Sequence, residues 1–205
     1  MKIIPVFLSA LLLAACTTPG ARLSLDERQA AWEQNSSRLD RIHSWSMRGR
    51  VAVHANGHGW QAGIRWSKMQ DTQEIRLNGP FGGGVVLLKQ DPSGIVLRDS
   101  RGEEYMDTDM ERVLAQVTGW HLPVDGLVYW VRGQLIPGVP SKIKLDNHGR
   151  LQKVSQQRWQ ITYERYGEYH NLPLPRRMIM KLPAEDNDGV GLEVRLALNH
   201  WNLGL

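Results

Sequence analysis

The chain has 205 residues, a formal net charge of +4, eight Trp, two Phe and one Cys. A single cysteine excludes an intramolecular disulfide, and basic residues scattered along the chain, with no stripe, exclude a nucleic-acid binder. The length suits one domain with a sizeable core.

Residues 1–15 read as a lipoprotein signal peptide: Lys2, an apolar run from Ile3 to Leu13, then small residues up to Cys16. The run is too short for a permanent membrane helix. Leu13-Ala14-Ala15-Cys16 resembles the bacterial lipobox, whose Cys becomes the first mature residue and carries thioether-linked and amide-linked acyl chains. Cys16 is therefore the expected lipid anchor; an ordinary signal peptide with an incidental Cys is the alternative. Thr17, where an Asp would favour retention in the inner membrane, leans towards the outer membrane. Residues 16–23 form a lipidated tether, opposed to regular structure by Pro19 and Gly20, and 24–205 form the domain.

Ser24-Leu25-Asp26-Glu27 matches a capping box, and Leu25, Trp32, Leu39 and Ile42 recur at helical spacing, so a helix of about four turns opens the domain. Beyond His43 the period becomes two. Trp45, Met47, Gly49, Val51 and Val53 alternate with polar or small residues, as do Trp60, Ala62, Ile64 and Trp66 after the HANGHG turn: a hairpin with one apolar face. QEIRLN, VVLLKQ and IVLRDS continue the pattern. Thr108-Asp109-Met110-Glu111 is a second capping box, opening a helix with Met110, Val113, Leu114 and Val117 that Gly119 stops. GLVYWVRG predicts a further helix of one or two turns. Strand signals return at KIKL, RWQITYERY, RMIMKL and GVGLEVRLALNHW. Ten or eleven antiparallel strands in sequence cannot stay flat, so the sheet curls into a barrel or half-barrel with an apolar inner face, and segment 108–132 is its natural lid.

Catalytic and metal chemistry are not expected. His54 and His58 flank a hairpin turn with no third ligand nearby, and Gly82-Gly83-Gly84 lacks the Lys-Ser/Thr of a phosphate loop. There is no G-x-S-x-G, and the lone Cys is committed to lipid. Asp107, Asp109 and Glu111 are explained by a helix start. No enzyme, cofactor or metal is implied. Tryptophan alternating inward is ordinarily core, yet Trp45, Trp60, Trp66, Trp130, Trp159 and Trp201 together on a curved sheet and its lid favour a lined pocket. The expected apolar pocket comprises Trp45, Met47, Trp60, Trp66, Trp130 and Trp159.

One turn stands out. NGPFGGG lies between two strands, and Phe81 at its tip is the only Phe left once residues 1–15 are gone. Gly82 and its glycine neighbours supply backbone freedom and Pro80 a fixed bend, so Phe81 is lifted outward, the alternative being a side chain folded back on the sheet; on a chain held at a membrane by a Cys16 lipid, Pro80, Phe81 and Gly82 then make a membrane-insertion loop.

SWSMRGRVAV, the IRWS strand, the RLNGPFG turn, VTGWHLPVDGLVYWVRG, WQITYERY and the closing LNHW together resemble the outer-membrane lipoprotein receptor LolB family over nearly all of 45–201. The resemblance implies a mainly β fold with a helical lid (α+β): an unclosed antiparallel β-barrel of about eleven strands enclosing a hydrophobic cavity. It implies a monomer, lipid-anchored in the outer membrane and facing the periplasm, that takes lipoproteins from a LolA-like periplasmic carrier and places their acyl chains in the inner leaflet. It also implies that Trp66, Trp130 and Trp159 line the cavity and that Phe81 is the exposed tip, where the family pattern has Leu. The competing reading is a lipid-anchored binding or scaffold lipoprotein for another hydrophobic ligand.

Overall fold

A computed structural model describes residues 23–55, 57–79, 84–184, 189 and 191–204. In chain order its elements are α1 (Leu25–Asp40), β1 (Ser44–Ala55), β2 (His58–Met69), β3 (Thr72–Asn78), β4 (Val85–Asp91), β5 (Gly94–Arg98), β6 (Glu104–Asp107), α2 (Met110–Thr118), α3 (Val124–Trp130), β7 (Ser141–Leu145), β8 (Leu151–Gln156), β9 (Trp159–Tyr169), β10 (Leu172–Leu182) and β11 (Leu192–Gly204). The strands make one eleven-stranded sheet in the order β6-β5-β4-β3-β2-β1-β11-β10-β9-β8-β7, with every pairing antiparallel. β6 and β7 are its two edges, so the barrel is unclosed, and α2 and α3 carry the chain from one edge to the other.

Period-two alternation decides which face turns inward. Along β1, Trp45, Met47, Val51 and Val53 are buried while Arg48, Arg50 and His54 are exposed; along β11, Leu192, Val194, Leu196, Leu198, Trp201 and Leu203 are buried. β1 and β11 join the two halves of the sheet, from Ser44 opposite Gly204 to Ala55 opposite Leu192. The register slips once: Arg48 faces His200 and Gly49 faces Leu198, leaving Asn199 as a bulge that keeps both strands' apolar residues inward. Gly49 is required there, because a Cβ at this position would lie 2.3 Å from the Ala197 carbonyl oxygen.

α1 has the expected capping box: Glu27 N–H donates to Ser24 Oγ at 3.3 Å and Ser24 N–H to Glu27 Oε2 at 2.7 Å. Leu39 and, just beyond the helix, Ile42 are buried, whereas Leu25 stands 77% exposed. The start of α2 differs from the expected Thr108 cap. Asp109 is the cap, its Oδ1 accepting from the N–H groups of Glu111 and Arg112. The physical reason lies one residue earlier, where Asp107 takes the Thr108 and Asp109 N–H groups and pairs with Arg112. This guanidinium, together with those N–H groups, holds the Asp107 carboxyl well below the usual carboxylate range.

Gly49→Ala should cost about 1–3 kcal/mol, the range for forcing atoms into a packed site. The midpoint of urea unfolding should fall with an unchanged slope, since the substitution strains the native seam and leaves the unfolded chain alike.

Candidate functional site

Between the inner face of the sheet and the helices lies a cavity of about 380 Å³. Its wall is Val51 and Val53 from β1, Trp60, Ile64 and Trp66 from β2, Ile75 and Leu77 from β3, Val86 and Leu88 from β4, Met180 from β10, and Val194 and Leu196 from β11. Its cover is Leu114 and Val117 from α2, Trp120 and Leu122 from the connection, and Val124, Leu127 and Val131 from and just after α3. No lining residue carries a charge. An apolar space of this kind takes hydrocarbon in preference to water, because a water inside would lack hydrogen-bond partners.

The two lid helices are held differently. α3 is fixed by polar side chains buried beneath it. Arg132 donates from Nη1 to the carbonyls of Leu39 and Ile42, both at 3.2 Å, and from Nε to Val128 O at 3.1 Å, tying the end of α3 to the end of α1. Burial pushes the guanidinium below the ordinary arginine value, and Asp40 opposes that shift. Gln134 donates to Asp40 Oδ1 at 2.6 Å. Gln156 Oε1 accepts from Trp130 Nε1 and the Ile136 N–H, both at 3.0 Å, while its amide donates to the carbonyls of Ile136 and Val139. Tyr163 donates to Trp130 O at 2.9 Å, and burial raises its hydroxyl far above the usual tyrosine value. α2 packs Met110, Val113 and Leu114 inward beside β5 and β6, and its first turn is joined to the end of β6 by the Arg112–Asp107 ion pair. Near it runs a short polar chain: Trp66 Nε1 donates to Gln73 Oε1 at 3.0 Å, and Gln73 Nε2 reaches Gln90 Oε1 at 2.5 Å and Met110 Sδ at 3.9 Å.

The expected site residues separate into two groups. Trp60 and Trp66 stand on the cavity wall, and Trp60 meets Trp120 of the lid edge-on with ring centroids 6.2 Å apart. Trp45 and Met47 are buried outside the cavity lining, Trp45 packing on Trp66 at 5.3 Å and on Trp201 at 5.6 Å. Trp130 is fully buried under α3 against Trp159, at 6.2 Å. Trp159 borders a different hollow, a polar groove of about 1100 Å³ beside the lid with Asp109, Glu111, Arg112, Asp125 and Arg158 on its walls. Groove and cavity meet at Val124. Cys16, Pro80, Phe81 and Gly82 lie outside the described residues. The wall residues Val51, Val53, Ile64, Val194 and Leu196 were marked as inward by their alternation. Trp120 and Leu122 carried no such signal, since they sit in a connection without a period.

The outer face of the sheet is basic. Arg76, Arg65, Arg48 and His200 are direct partners across β3, β2, β1 and β11, and Arg50 sits in the neighbouring row. Residues that are scattered in the sequence thus become a patch in the fold.

The family model described as "Outer membrane lipoprotein LolB" matches residues 43–201. The chain belongs to the LolB family. An outer-membrane lipoprotein LolB of Nitrosococcus oceani is 34% identical over 200 residues, spanning 97% of this chain and 96% of the relative, and one of Pseudomonas putida is 35% identical over 194 residues, spanning 93% and 90%. The crystal structure of a DUF1329-family protein of Desulfovibrio piger shares the fold, with a TM-score of 0.55, 8% identity and coverage of 86% of this chain and 92% of that one. The protein accordingly has the role of an outer-membrane lipoprotein receptor, and its place is the outer membrane, lipid-anchored and facing the periplasm.

Trp130→Ala should cost about 3–5 kcal/mol, as large buried aromatics do when a cavity is left behind. Trp60→Ala, whose ring already faces open space, should cost clearly less. Thermal or urea unfolding of the two variants side by side measures the difference.

Proposed function

We propose that the cavity receives an acyl chain of a lipoprotein delivered by a LolA-like periplasmic carrier, and that the protein passes the lipoprotein on to the inner leaflet of the outer membrane. The observation that carries this reading is the uncharged cavity of about 380 Å³ under the apolar faces of the lid helices. A 150 Å³ apolar cavity accommodates the six carbons of benzene, so in proportion this one holds about 15 carbons, close to one acyl chain. A cargo with several chains then needs more space. The lid supplies it unevenly: α3 is bound to α1 and β8 by buried hydrogen bonds, while α2 is held by packing and by one partly exposed ion pair at its first turn, Arg112 with Asp107, and is the element to swing away about that end.

Such a route has a physical necessity. An acyl chain of about 15 methylenes, at ~0.8 kcal/mol each, costs roughly 12 kcal/mol to expose to water. Transfer must therefore run from one apolar space to the next. Direction needs no nucleotide, only a receiving site that binds a few kcal/mol better than the donor and a membrane that binds better still. Cys16 is the residue assigned to the lipid anchor, and its test is the mass of the N-terminal peptide from membrane-purified protein, expected to begin at Cys16 and carry acyl chains.

Phe81, set between Pro80 and Gly82, is assigned to delivery. On a protein held at a membrane, a Phe side chain entering the interfacial region contributes roughly 1.5–3 kcal/mol when fully buried there. A two-step assay separates acceptance from delivery. Lipidated cargo on its carrier is mixed with the protein, and transfer to the protein and then to liposomes is measured. Val117→Asp, which puts a charge in the cavity cover, should lose acceptance by more than tenfold, since an unpaired buried charge costs several kcal/mol. Phe81→Glu should accept normally and fail to deliver, and Phe81→Leu should do both. Acceptance undiminished in Val117→Asp sinks the cavity assignment; equal loss of both steps in Phe81→Glu sinks the loop assignment.

A further inference from the structure

The outer sheet face holds an arrangement that neither packing nor cargo binding explains. Arg48 is the direct cross-strand partner of Arg65, and Arg65 of Arg76, while His200 extends the row on the other side of Arg48. Like charges directly opposite one another weaken a sheet, so three consecutive arginines in register oppose the fold. Their neighbourhood does not neutralise them. Glu74 is already shared between Arg76 and Lys89, each at 3.6 Å, and among the described residues Arg48, Arg50 and Arg65 have no carboxylate partner. Two shallow hollows of about 490 and 550 Å³ both take in Arg48, Arg65 and His200, leaving the guanidinium groups accessible to an external anion.

We propose that this face is a second membrane contact, in which Arg48, Arg50, Arg65 and Arg76 bind the phosphates of anionic phospholipid around the protein's own lipid anchor. Charge complementarity favours that occupant, because cationic residues next to an anionic lipid surface are attracted over a Debye length and arginine forks match phosphate oxygens. The row containing Arg50 supplies a second argument. It runs through Gly63 and Asn78 to Val85, which is 41% exposed on the same outer face at the start of β4. Basic centre and apolar margin are the combination that settles at a membrane interface. Bound by its outer face, the sheet would turn its lid away from the bilayer towards the aqueous space from which a carrier comes.

The test uses the mature chain with Cys16→Ala, so that no acyl chain anchors it, and sedimentation with phosphatidylethanolamine vesicles prepared with and without phosphatidylglycerol. Binding should require phosphatidylglycerol and be lost at raised salt. Replacing Arg48 and Arg65 together by Gln should weaken it about 30-fold, at about fivefold for each arginine at the surface. The matching Lys pair should retain it, and Arg158→Gln in the lid groove should not change it. Uptake of a fluorescent fatty acyl probe, read in every variant, reports both folding and the cavity; it should be unaffected. Binding that ignores phosphatidylglycerol, or that survives in the Gln pair, overturns the proposal. Intact vesicle binding with lost handover from the carrier in the Gln pair assigns the face to a protein partner and also overturns it. Phosphatidylglycerol-dependent binding without acyl uptake supports this face while refuting the cargo reading.

Discussion

Pairing of the first and last strands is the constraint on which the molecule rests. β2–β6 form a meander growing away from β1, and β10–β7 form a second growing away from β11; only the β1–β11 seam makes them one sheet. Because the seam lies in the middle of the sheet, the middle of the chain falls at its edges. The segment between β6 and β7 must therefore cross the open side of the barrel, and the position of the lid follows from the strand order. Every other pairing in the sheet joins consecutive strands, so the seam alone brings together distant parts of the chain, and loop closure of that span is the slow step expected in folding.

A second consequence concerns polarity. The cavity wall comes from the inward half of a period-two pattern and the basic face from the outward half, so the same strands serve hydrocarbon on one side and charge on the other. β1 shows it within a few residues, with Met47, Val51 and Val53 inside and Arg48 and Arg50 outside. Polar groups that do enter the interior serve the framework. Gln156 satisfies both its oxygen and its amide on Trp130, Ile136 and Val139, and Arg132 finds three carbonyls, so neither presents an unpaired group to the cavity.

Alternation made most strands and the inward face legible from residue order alone, and the Ser24 and Glu27 pair located α1 to the residue. β6 and β8 escaped, for identifiable reasons. β6 is a short edge strand with Met106 turned outward and 70% exposed, and β8 places Gln156 inside, where a pattern of apolar residues looks for carbon. Depth was the harder quantity. A period of two distinguishes in from out, but it cannot say that Trp60 and Trp66 face open space while Trp45 and Met47 are packed solid, because that depends on which strands the lid covers. Trp130 lies on a lid helix, yet its indole N–H is spent on Gln156 from β8, a contact between residues 26 positions apart that no local pattern encodes. The basic face was hidden in the same way, since its members lie on strands whose neighbours are assigned only by the sheet order.

A barrel left open retains two rows of unpaired backbone groups, and such rows are templates on which a strand from another molecule can dock. β7 carries Lys142 and Lys144, both exposed, and packs against α1, while β6 carries Glu104 and lies beside α2. Charge and helix together blunt each edge. An open barrel therefore leaves edges at which extended sheets can grow, and charged lysines such as those on β7 are a means by which an exposed edge resists such pairing.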